Sequence, residues 1–256
     1  MKTVRSVERA LSILFVVARN NQPLGLSEIG RNVGLDKATS LRLLNTLEAA
    51  GLVQQDSATK RYFLGPRAGE LFTPWRNDLR TLARSHLERL LHLTHETVCV
   101  AVPRGLDRVI IEALPAPHEL RIEPTIGSRM PVHVGATGKA IMAFMPKEEI
   151  ERIIELSGLK PVTSASITDR ATFLSDLAKV RRQGYAWAVG EGVEGASAVA
   201  APIFDREGSV VGAIVVRGPD IRMPKARLTQ FAPLVTNAAE RLSRDLGFVP
   251  KAGAGL

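Results

Sequence analysis

The first 47 residues contain three stretches in which apolar residues recur at helical spacing. The first stretch covers residues 6–20 and carries one apolar stripe, formed by Val7, Ala10, Leu11, Leu14 and Val17. This stripe predicts a helix whose apolar side is buried against the next two helices. Residues 26–35 predict a short amphipathic helix, and residues 36–47 predict another one after a tight turn. Two helices joined in this way are typical of a helix-turn-helix, whose second helix enters the major groove of DNA.

The second helix of this pair has one side that faces the preceding helices and one side that is free to meet DNA. The inward side consists of Ser40, Leu43, Leu44 and Leu47, and Asp36 is placed to cap the first turn. Arginine and asparagine on the outward side can bond guanine and adenine edges. The predicted DNA-contacting residues of this helix are Lys37, Ala38, Thr39, Leu41, Arg42, Asn45 and Thr46. The alternative is a small helical bundle whose polar side is only solvated.

Residues 52–65 favour DNA binding over that alternative. Two short apolar runs flank a polar turn, which predicts a β-hairpin. Lys60 and Arg61 are expected at its tip, where they can reach a phosphate or the minor groove. A helix-turn-helix followed by a basic hairpin is a winged helix.

The periodicity changes to that of strands after residue 95. Strands are predicted at residues 97–102, 108–114, 198–204 and 209–216. Helices are predicted at residues 139–145, 148–156, 169–183 and 225–246. The fold class is therefore α+β, with an N-terminal winged helix-turn-helix, a helical linker and a C-terminal domain of antiparallel sheet and flanking helices. The predicted boundaries are 1–65, 66–95 and 96–248, followed by a disordered tail at 249–256.

Charge and composition favour a polyanionic binding partner, and they argue against a disulfide-linked, exported or membrane-spanning protein. The net charge is +8, and residues 1–75 carry +4 of it in less than a third of the chain. Cys99 is the only cysteine, which excludes an intramolecular disulfide, and it is expected in the core. We expect a cytoplasmic protein, because no signal peptide or membrane span is evident. We do not expect an enzyme, because the pocket segments contain no nucleophile–base pairing. No cofactor or metal is expected.

Several short motifs, in the same order along the chain, carry a family resemblance. They include Ser6–Leu11, Leu35–Thr39, Gly135–Ala140, Gly184–Ala186 and Ala200–Phe204. Over residues 4–247 the chain resembles the IclR family of bacterial transcriptional regulators. The resemblance implies a winged helix, a helical linker and a GAF-like domain that binds an effector and mediates oligomerisation. It also implies dimers or dimers of dimers on palindromic double-stranded DNA operators, and many members respond to a small metabolite.

The same resemblance indicates an effector pocket that has lost polar groups. Family members that bind small oxo-acids carry an aspartate after the Gly184–Ala186 motif, a cysteine before the Ala200–Phe204 motif, and serines before a further motif, Gly218-Pro219. This chain has Ala188, Ala198, Val215 and Arg217 at those positions. The backbone amides of Gly135, Ala136 and Thr137 are expected to face a carboxylate or carbonyl oxygen. Met130 and Trp187 complete the predicted effector-binding set as apolar contacts.

These substitutions predict an aromatic or otherwise apolar carboxylic acid, or an amide-like derivative, as the effector. A pocket with few polar groups favours a ligand with apolar surface. The alternative is a DNA-binding regulator whose sensor domain is vestigial and ligand-independent. Arg217 also has an alternative, as an ordinary surface residue.

Overall fold

The computed structural model describes residues 3–20, 22–71, 79–123 and 125–249. The chain forms two compact units, Met1–Arg76 and Asn77–Leu256. Residues 250–256 of the predicted tail lie outside the described residues. No described helix is both long and apolar enough to cross a membrane.

The first unit is a winged helix-turn-helix. Its helices are α1 (Arg5–Arg19), α2 (Leu26–Val33) and α3 (Lys37–Ala49), followed by strands β1 (Val53–Gln55) and β2 (Tyr62–Leu64) and a 3-10 helix at Pro66–Leu71. The two strands form an antiparallel hairpin, and Leu24 bridges to Tyr62. The core consists of Ile13, Leu14, Val17, Ile29, Leu44, Leu47, Val53 and Tyr62.

The apolar stripe predicted for α1 is only partly buried. Leu14 and Val17 lie in the core, together with Ile13. Val7 and Leu11 are 54% and 45% exposed, so the prediction that they pack inside the unit is wrong. They belong to a second apolar face, formed by Val7, Leu11 and Phe15 of α1 together with the N-cap residue Val4. Their spacing of three and four residues puts them on one side of the helix.

A close approach between α2 and α3 fixes the helix-turn-helix. A side chain at Gly30 would lie 2.9 Å from the Leu35 carbonyl oxygen and 3.2 Å from Ser40 Oγ. Ser40 is fully buried at this contact. Glycine is therefore favoured over every other residue at position 30, because the turn and the first part of α3 occupy the space where a Cβ would stand.

The second unit is built on one antiparallel sheet with strand order β5-β4-β3-β8-β7-β6. The strands are β3 (Thr97–Arg104), β4 (Asp107–Leu114), β5 (Arg129–Pro131), β6 (Ala186–Val189), β7 (Ala196–Phe204) and β8 (Val210–Pro219). The helices are α4 (Leu79–Thr94), α5 (Gly135–Met142), α6 (Lys147–Ser157), α7 (Arg170–Gln183) and α8 (Lys225–Asp245). With the winged helix, this sheet and its helices confirm the predicted α+β class.

Helices cover both faces of this sheet, and each face has its own core. Side chains of α5, α6 and α7 pack with one face of β3, β7 and β8. Side chains of α4 and α8 pack with the other face. The helix that the sequence analysis assigns to a linker therefore packs within the second unit, where Ala83, Leu87 and Leu90 are buried.

Candidate functional site

The outer side of α3 is a continuous exposed surface. Six of the residues predicted to contact DNA are exposed: Lys37, Ala38, Leu41, Arg42, Asn45 and Thr46. Ser40, Leu44 and Leu47 are buried on the opposite side. The helix thus presents cationic, amide and hydroxyl groups to solvent on one side while its apolar side closes the core.

The start of α3 is rigidly capped. The Asp36 carboxylate accepts hydrogen bonds from the Thr39 amide at 2.8 Å and from the Thr39 hydroxyl at 2.7 Å. These bonds lower the pKa of Asp36, because they stabilise the ionised carboxylate. Thr39 is half-buried and its hydroxyl proton is engaged in this cap, so its hydroxyl oxygen can act only as an acceptor towards a further partner.

The hairpin differs from the prediction in its basic residues. Its turn is closed by Asp56, whose carboxylate accepts from the amides of Ala58 and Thr59. Lys60 is exposed directly after this turn. Arg61 does not lie at the tip: its Nη1 donates to the Pro23 carbonyl at 2.8 Å and to Glu28 Oε2 at 3.2 Å. The ion pair directs Arg61 towards α2, because Glu28 is held there by its bond from the Gly25 amide.

The second unit contains a cavity beside the start of α5, with a volume of about 40 Å³. It brings together eight of the nine residues predicted to bind effector: Met130, Gly135, Ala136, Thr137, Ala188, Ala198, Val215 and Arg217. These residues come from five different elements, the strands β5 to β8 and helix α5. Arg217 therefore lines the cavity and is not an ordinary surface residue.

Trp187 is the predicted effector residue that the structure places elsewhere. Successive side chains of a strand point to opposite faces of the sheet, and Ala188 of β6 faces the cavity. Trp187 consequently packs with the core on the α4 and α8 face. The ammonium of Lys225 lies 5.0 Å from the centre of its ring. Its assignment to the effector pocket is therefore wrong.

Two polar residues of the cavity were missed by sequence reasoning. Arg108 is 7% exposed, and its Nη2 donates to Met130 Sδ at 3.0 Å. Ser197 is 1% exposed. Among the described residues, neither Arg108 Nε nor Ser197 Oγ has a hydrogen-bond partner. One signal was available for Arg108, because it alternates in phase with the buried Ile110 on β4.

Burial has a direct effect on the chemistry of Arg108. It lowers the pKa of this guanidinium from its ordinary value to about 10, and the positive charge of Arg217 acts in the same direction. Arg108 is still protonated at neutral pH, so the cavity contains two guanidinium groups. Groups of this kind bind carboxylates through paired hydrogen bonds.

A buried ion cluster forms one wall of the cavity. Lys139 of α5 is 2% exposed and donates to Glu191 at 2.7 Å and to Asp176 at 2.8 Å. Burial raises the pKa of Glu191, while the charge of Lys139 opposes that shift. The loop that carries Glu191 is fastened by Ser166, whose hydroxyl donates to the Glu191 carbonyl at 2.7 Å. The Glu191 carboxylate is therefore held in its ion pair with Lys139.

Comparisons with known proteins agree with both units. Residues 6–57 match the model of the IclR helix-turn-helix domain, and residues 75–244 match that of the bacterial transcriptional regulator IclR C-terminal domain. The HTH-type transcriptional repressor AllR of Escherichia coli is 33% identical over 248 residues, which cover 96% of this chain and 92% of AllR.

Two solved structures have the same architecture. An IclR-type transcriptional regulator from a Silicibacter species superposes with a TM-score of 0.80 at 25% identity, covering 96% of this chain and 98% of the other. An IclR homologue from Microbacterium hydrocarbonoxydans, complexed with 4-hydroxybenzoate, has a TM-score of 0.59 at 24% identity, covering 94% and 98%. With two family models covering most of its length, the chain belongs to the IclR family of bacterial transcriptional regulators and is a DNA-binding regulator rather than an enzyme.

Proposed function

We propose that this regulator acts in the cytoplasm, reads its operator with α3, and changes its operator affinity when a small organic acid occupies the cavity beside α5. The observation that carries the effector part is the cavity itself, where two guanidinium groups stand near the start of α5. A carboxylate there would meet two cationic donors, of which Arg108 is largely removed from water, where such hydrogen bonds are strong.

On the DNA side, the exposed face of α3 would enter the major groove. Arg42 and Asn45 are the residue types that recognise guanine and adenine edges. Lys37, Thr39 and Thr46 would contact phosphates or bases, and Ala38 and Leu41 would lie against thymine methyl groups. Lys60 would contact the sugar–phosphate backbone from the hairpin. Arg61 would hold the hairpin against α2 through Glu28, which positions Lys60 without itself touching a base.

Self-association would follow from the exposed apolar face of α1. Val4, Val7, Leu11 and Phe15 are between 45% and 64% exposed, and they are contiguous along the helix. We propose that a second copy of the chain covers this face. A helix-turn-helix reads one half-site, and a palindromic operator needs two copies related by a twofold axis. Dimers of this kind, or pairs of them, would place successive α3 helices on the operator.

The effector expected from the sequence was an aromatic or apolar acid. Ala188, Ala198 and Val215 still supply apolar contacts in the cavity. The volume of about 40 Å³ is small, so an effector has to displace a side chain before it can bind. The same small volume favours a second candidate, a regulator whose sensor domain is ligand-independent.

One experiment tests both candidates. Operator duplexes are selected from random DNA with the full-length protein, and their affinity is measured by fluorescence anisotropy with and without small organic acids. Thermal unfolding with the same acids reports binding, because a ligand at 100 times its Kd stabilises by about 2.7 kcal/mol. We expect enrichment of a palindrome and a shift of both signals with at least one acid. Enrichment without any response to acids would support the ligand-independent regulator, and no enrichment would contradict DNA reading by α3.

A further inference from the structure

The cavity beside α5 holds two guanidinium groups, and among the described residues that line it no carboxylate is free to balance them. Arg108 and Arg217 both line it. Within the described residues, neither forms an ion pair with a carboxylate. Glu191 is the acidic residue of the cavity wall, and its carboxylate is bound by Lys139 at 2.7 Å. The two arginines therefore face the cavity with uncompensated positive charge.

A buried positive charge without a partner destabilises the folded protein unless a ligand of opposite charge binds to it. A buried charge needs an opposite charge or hydrogen bonds that replace its hydration. Arg108 is 7% exposed, and its one hydrogen bond from Nη2 ends on a thioether sulfur, which is a weak acceptor. Arg108 Nε and the hydroxyl of Ser197, which also lines the cavity, have no partner among the described residues. Each of these groups can bond a carboxylate oxygen.

We infer that the effector is a short aliphatic dicarboxylate, with one carboxylate bound by Arg108 and Ser197 and the other by Arg217. This inference rests on the proposed function, since it names the ligand of the same cavity. One carboxylate accepts the parallel hydrogen bonds of a single guanidinium. Two guanidinium groups in one small cavity therefore match a ligand with two carboxylates better than a ligand with one.

Cavity size limits the chain between the two carboxylates. Met130 occupies part of the space beside Arg108, because its sulfur contacts Arg108 Nη2 at 3.0 Å. On its other side, the Gly192 backbone leaves so little space that an added Cβ would stand 3.1 Å from the same sulfur. Methionine is flexible and can withdraw, but one side chain vacates little volume. A compact linker against Ala188, Ala198 and Val215 fits this space, whereas an aromatic ring needs a larger rearrangement.

The test compares ligands that differ in one charge. Isothermal titration calorimetry of the full-length protein is performed with malonate and succinate, and with malonamate and succinamate, which keep the length and lose one carboxylate. Benzoate, pyruvate and inorganic phosphate complete the panel. We expect at least one dicarboxylate to bind more than about tenfold more tightly than its half-amide. We also expect it to bind more tightly than phosphate, which concentrates its charge at one point.

Variants then assign each carboxylate to its arginine. Arg217→Gln is expected to abolish the preference for a dicarboxylate over its half-amide. Arg108→Lys keeps the charge but loses the guanidinium fork, and it is expected to weaken both ligands. Arg104→Gln changes an exposed arginine of β3 outside this cavity, and it is expected to leave every affinity unchanged. Thermal unfolding of each variant confirms that it is folded.

Three outcomes would overturn the inference. The half-amides could bind as tightly as the dicarboxylates, no dicarboxylate could bind at millimolar concentration, or Arg217→Gln could retain the full preference. If benzoate or pyruvate binds and shifts operator affinity in those cases, the proposed function stands and only the dicarboxylate is wrong. If no acid binds or changes operator affinity, the dicarboxylate and the effector part of the proposed function fail together, and an enriched operator would then support the ligand-independent regulator.

Discussion

Arg108 and Glu112 stand four residues apart on β4 and serve opposite faces of the sheet. Arg108 lines the cavity beside α5, whereas Glu112 pairs with Arg80 and Arg84 of α4. Strict alternation would put both side chains on one face. The register with β3 passes from Ile110 opposite Ala101 to Glu112 opposite Val100, which leaves Ile111 as an extra residue. This bulge re-aims Glu112 towards α4.

Glu112→Gln should destabilise the second unit. The Glu112 side chain is 7% exposed and accepts from Arg80 Nε at 2.8 Å, so its charge anchors α4 to the sheet. We expect a loss of about 1–2 kcal/mol in the free energy of unfolding, measured by urea denaturation. Glu88→Gln is the matched control, because Glu88 pairs with Arg84 on the exposed side of α4. Its cost should stay within about 0.5 kcal/mol, and equal effects of the two variants would contradict an anchoring role for Glu112.

Arg42→Ala should weaken operator binding and relax its sequence preference. Arg42 is exposed on the outer side of α3, where it can bond a guanine edge. We expect a loss of about 1–3 kcal/mol in binding free energy, concentrated at one base position of the selected operator. Fluorescence anisotropy with single-base variants of the operator measures this. Arg152→Ala, an exposed arginine of α6, should change nothing. An unchanged binding curve for Arg42→Ala would remove Arg42 from the base-reading residues.

Phe15→Glu should weaken self-association. The Phe15 side chain is 56% exposed on the apolar face of α1, and a charge there would be buried in the proposed interface of two copies. Sedimentation velocity should show a shift towards monomer, and operator binding should weaken with it. Ile221→Glu is the control, because Ile221 is an exposed apolar residue of the second unit, at 80% exposure. Retention of the full oligomer by Phe15→Glu would exclude this face as an interface.

Neighbouring residues of β6 show how much of the effector cavity can be predicted from the sequence. Ordered motifs predict Ala188, Ala198 and Val215 in one pocket, and all three line the cavity beside α5. Ala198 stands opposite Ala188 of β6 and Arg217 of β8, and Val215 lies two residues before Arg217 on the same face. Trp187 was assigned to the same pocket, although it is adjacent to Ala188 and must face the other way. Sequence proximity to a motif does not establish the face of a strand.

The positions of the Arg108 and Arg61 side chains show what the sequence does not predict. Arg108 belongs to no motif, and it reaches the cavity only because β4 pairs with β5, with Arg108 opposite Met130. Arg61 is next to the hairpin turn in sequence, but its partner Glu28 is 33 residues away. Local alternation on β4 indicates that Arg108 faces inward, but the partners of both side chains come from long-range pairing, which local periodicity does not encode. Helix and strand identities, by contrast, follow from local patterns and were predicted well for α2, α3 and the hairpin.

Gly30→Ala should loosen the helix-turn-helix. The added methyl group would stand 2.9 Å from the Leu35 carbonyl, so α2 and α3 would have to separate. We expect a cost of about 1–3 kcal/mol, seen as faster amide hydrogen exchange in both helices of the full-length protein. Gly25→Ala is the matched control, since its nearest contact is 3.4 Å from a Glu28 side-chain oxygen. Unchanged exchange in Gly30→Ala would mean that the turn has more room than the contact implies.

Arg108→Met should stabilise the effector-free protein while abolishing effector binding. Burial lowers the pKa of Arg108 from its ordinary value to about 10, so the charged form is less favourable in the folded chain than in the unfolded chain. At every pH below about 10 this difference subtracts from stability, and it diminishes as the pH rises through the folded pKa towards the higher pKa of the unfolded chain. A methionine of similar length removes the penalty, and we expect a gain of roughly 1–3 kcal/mol at neutral pH.

Thermal unfolding at neutral pH measures the gain in Arg108→Met, and calorimetry with the dicarboxylate measures the loss of binding. Arg104→Met is the control, because Arg104 is exposed and carries no burial penalty. Its midpoint and its ligand affinity should both stay unchanged. A lower midpoint for Arg108→Met would mean that the guanidinium stabilises the sheet through its packing, whereas a higher midpoint with intact binding would remove Arg108 from the effector site. Higher stability together with lost binding is the signature of a charge that the fold retains for its ligand.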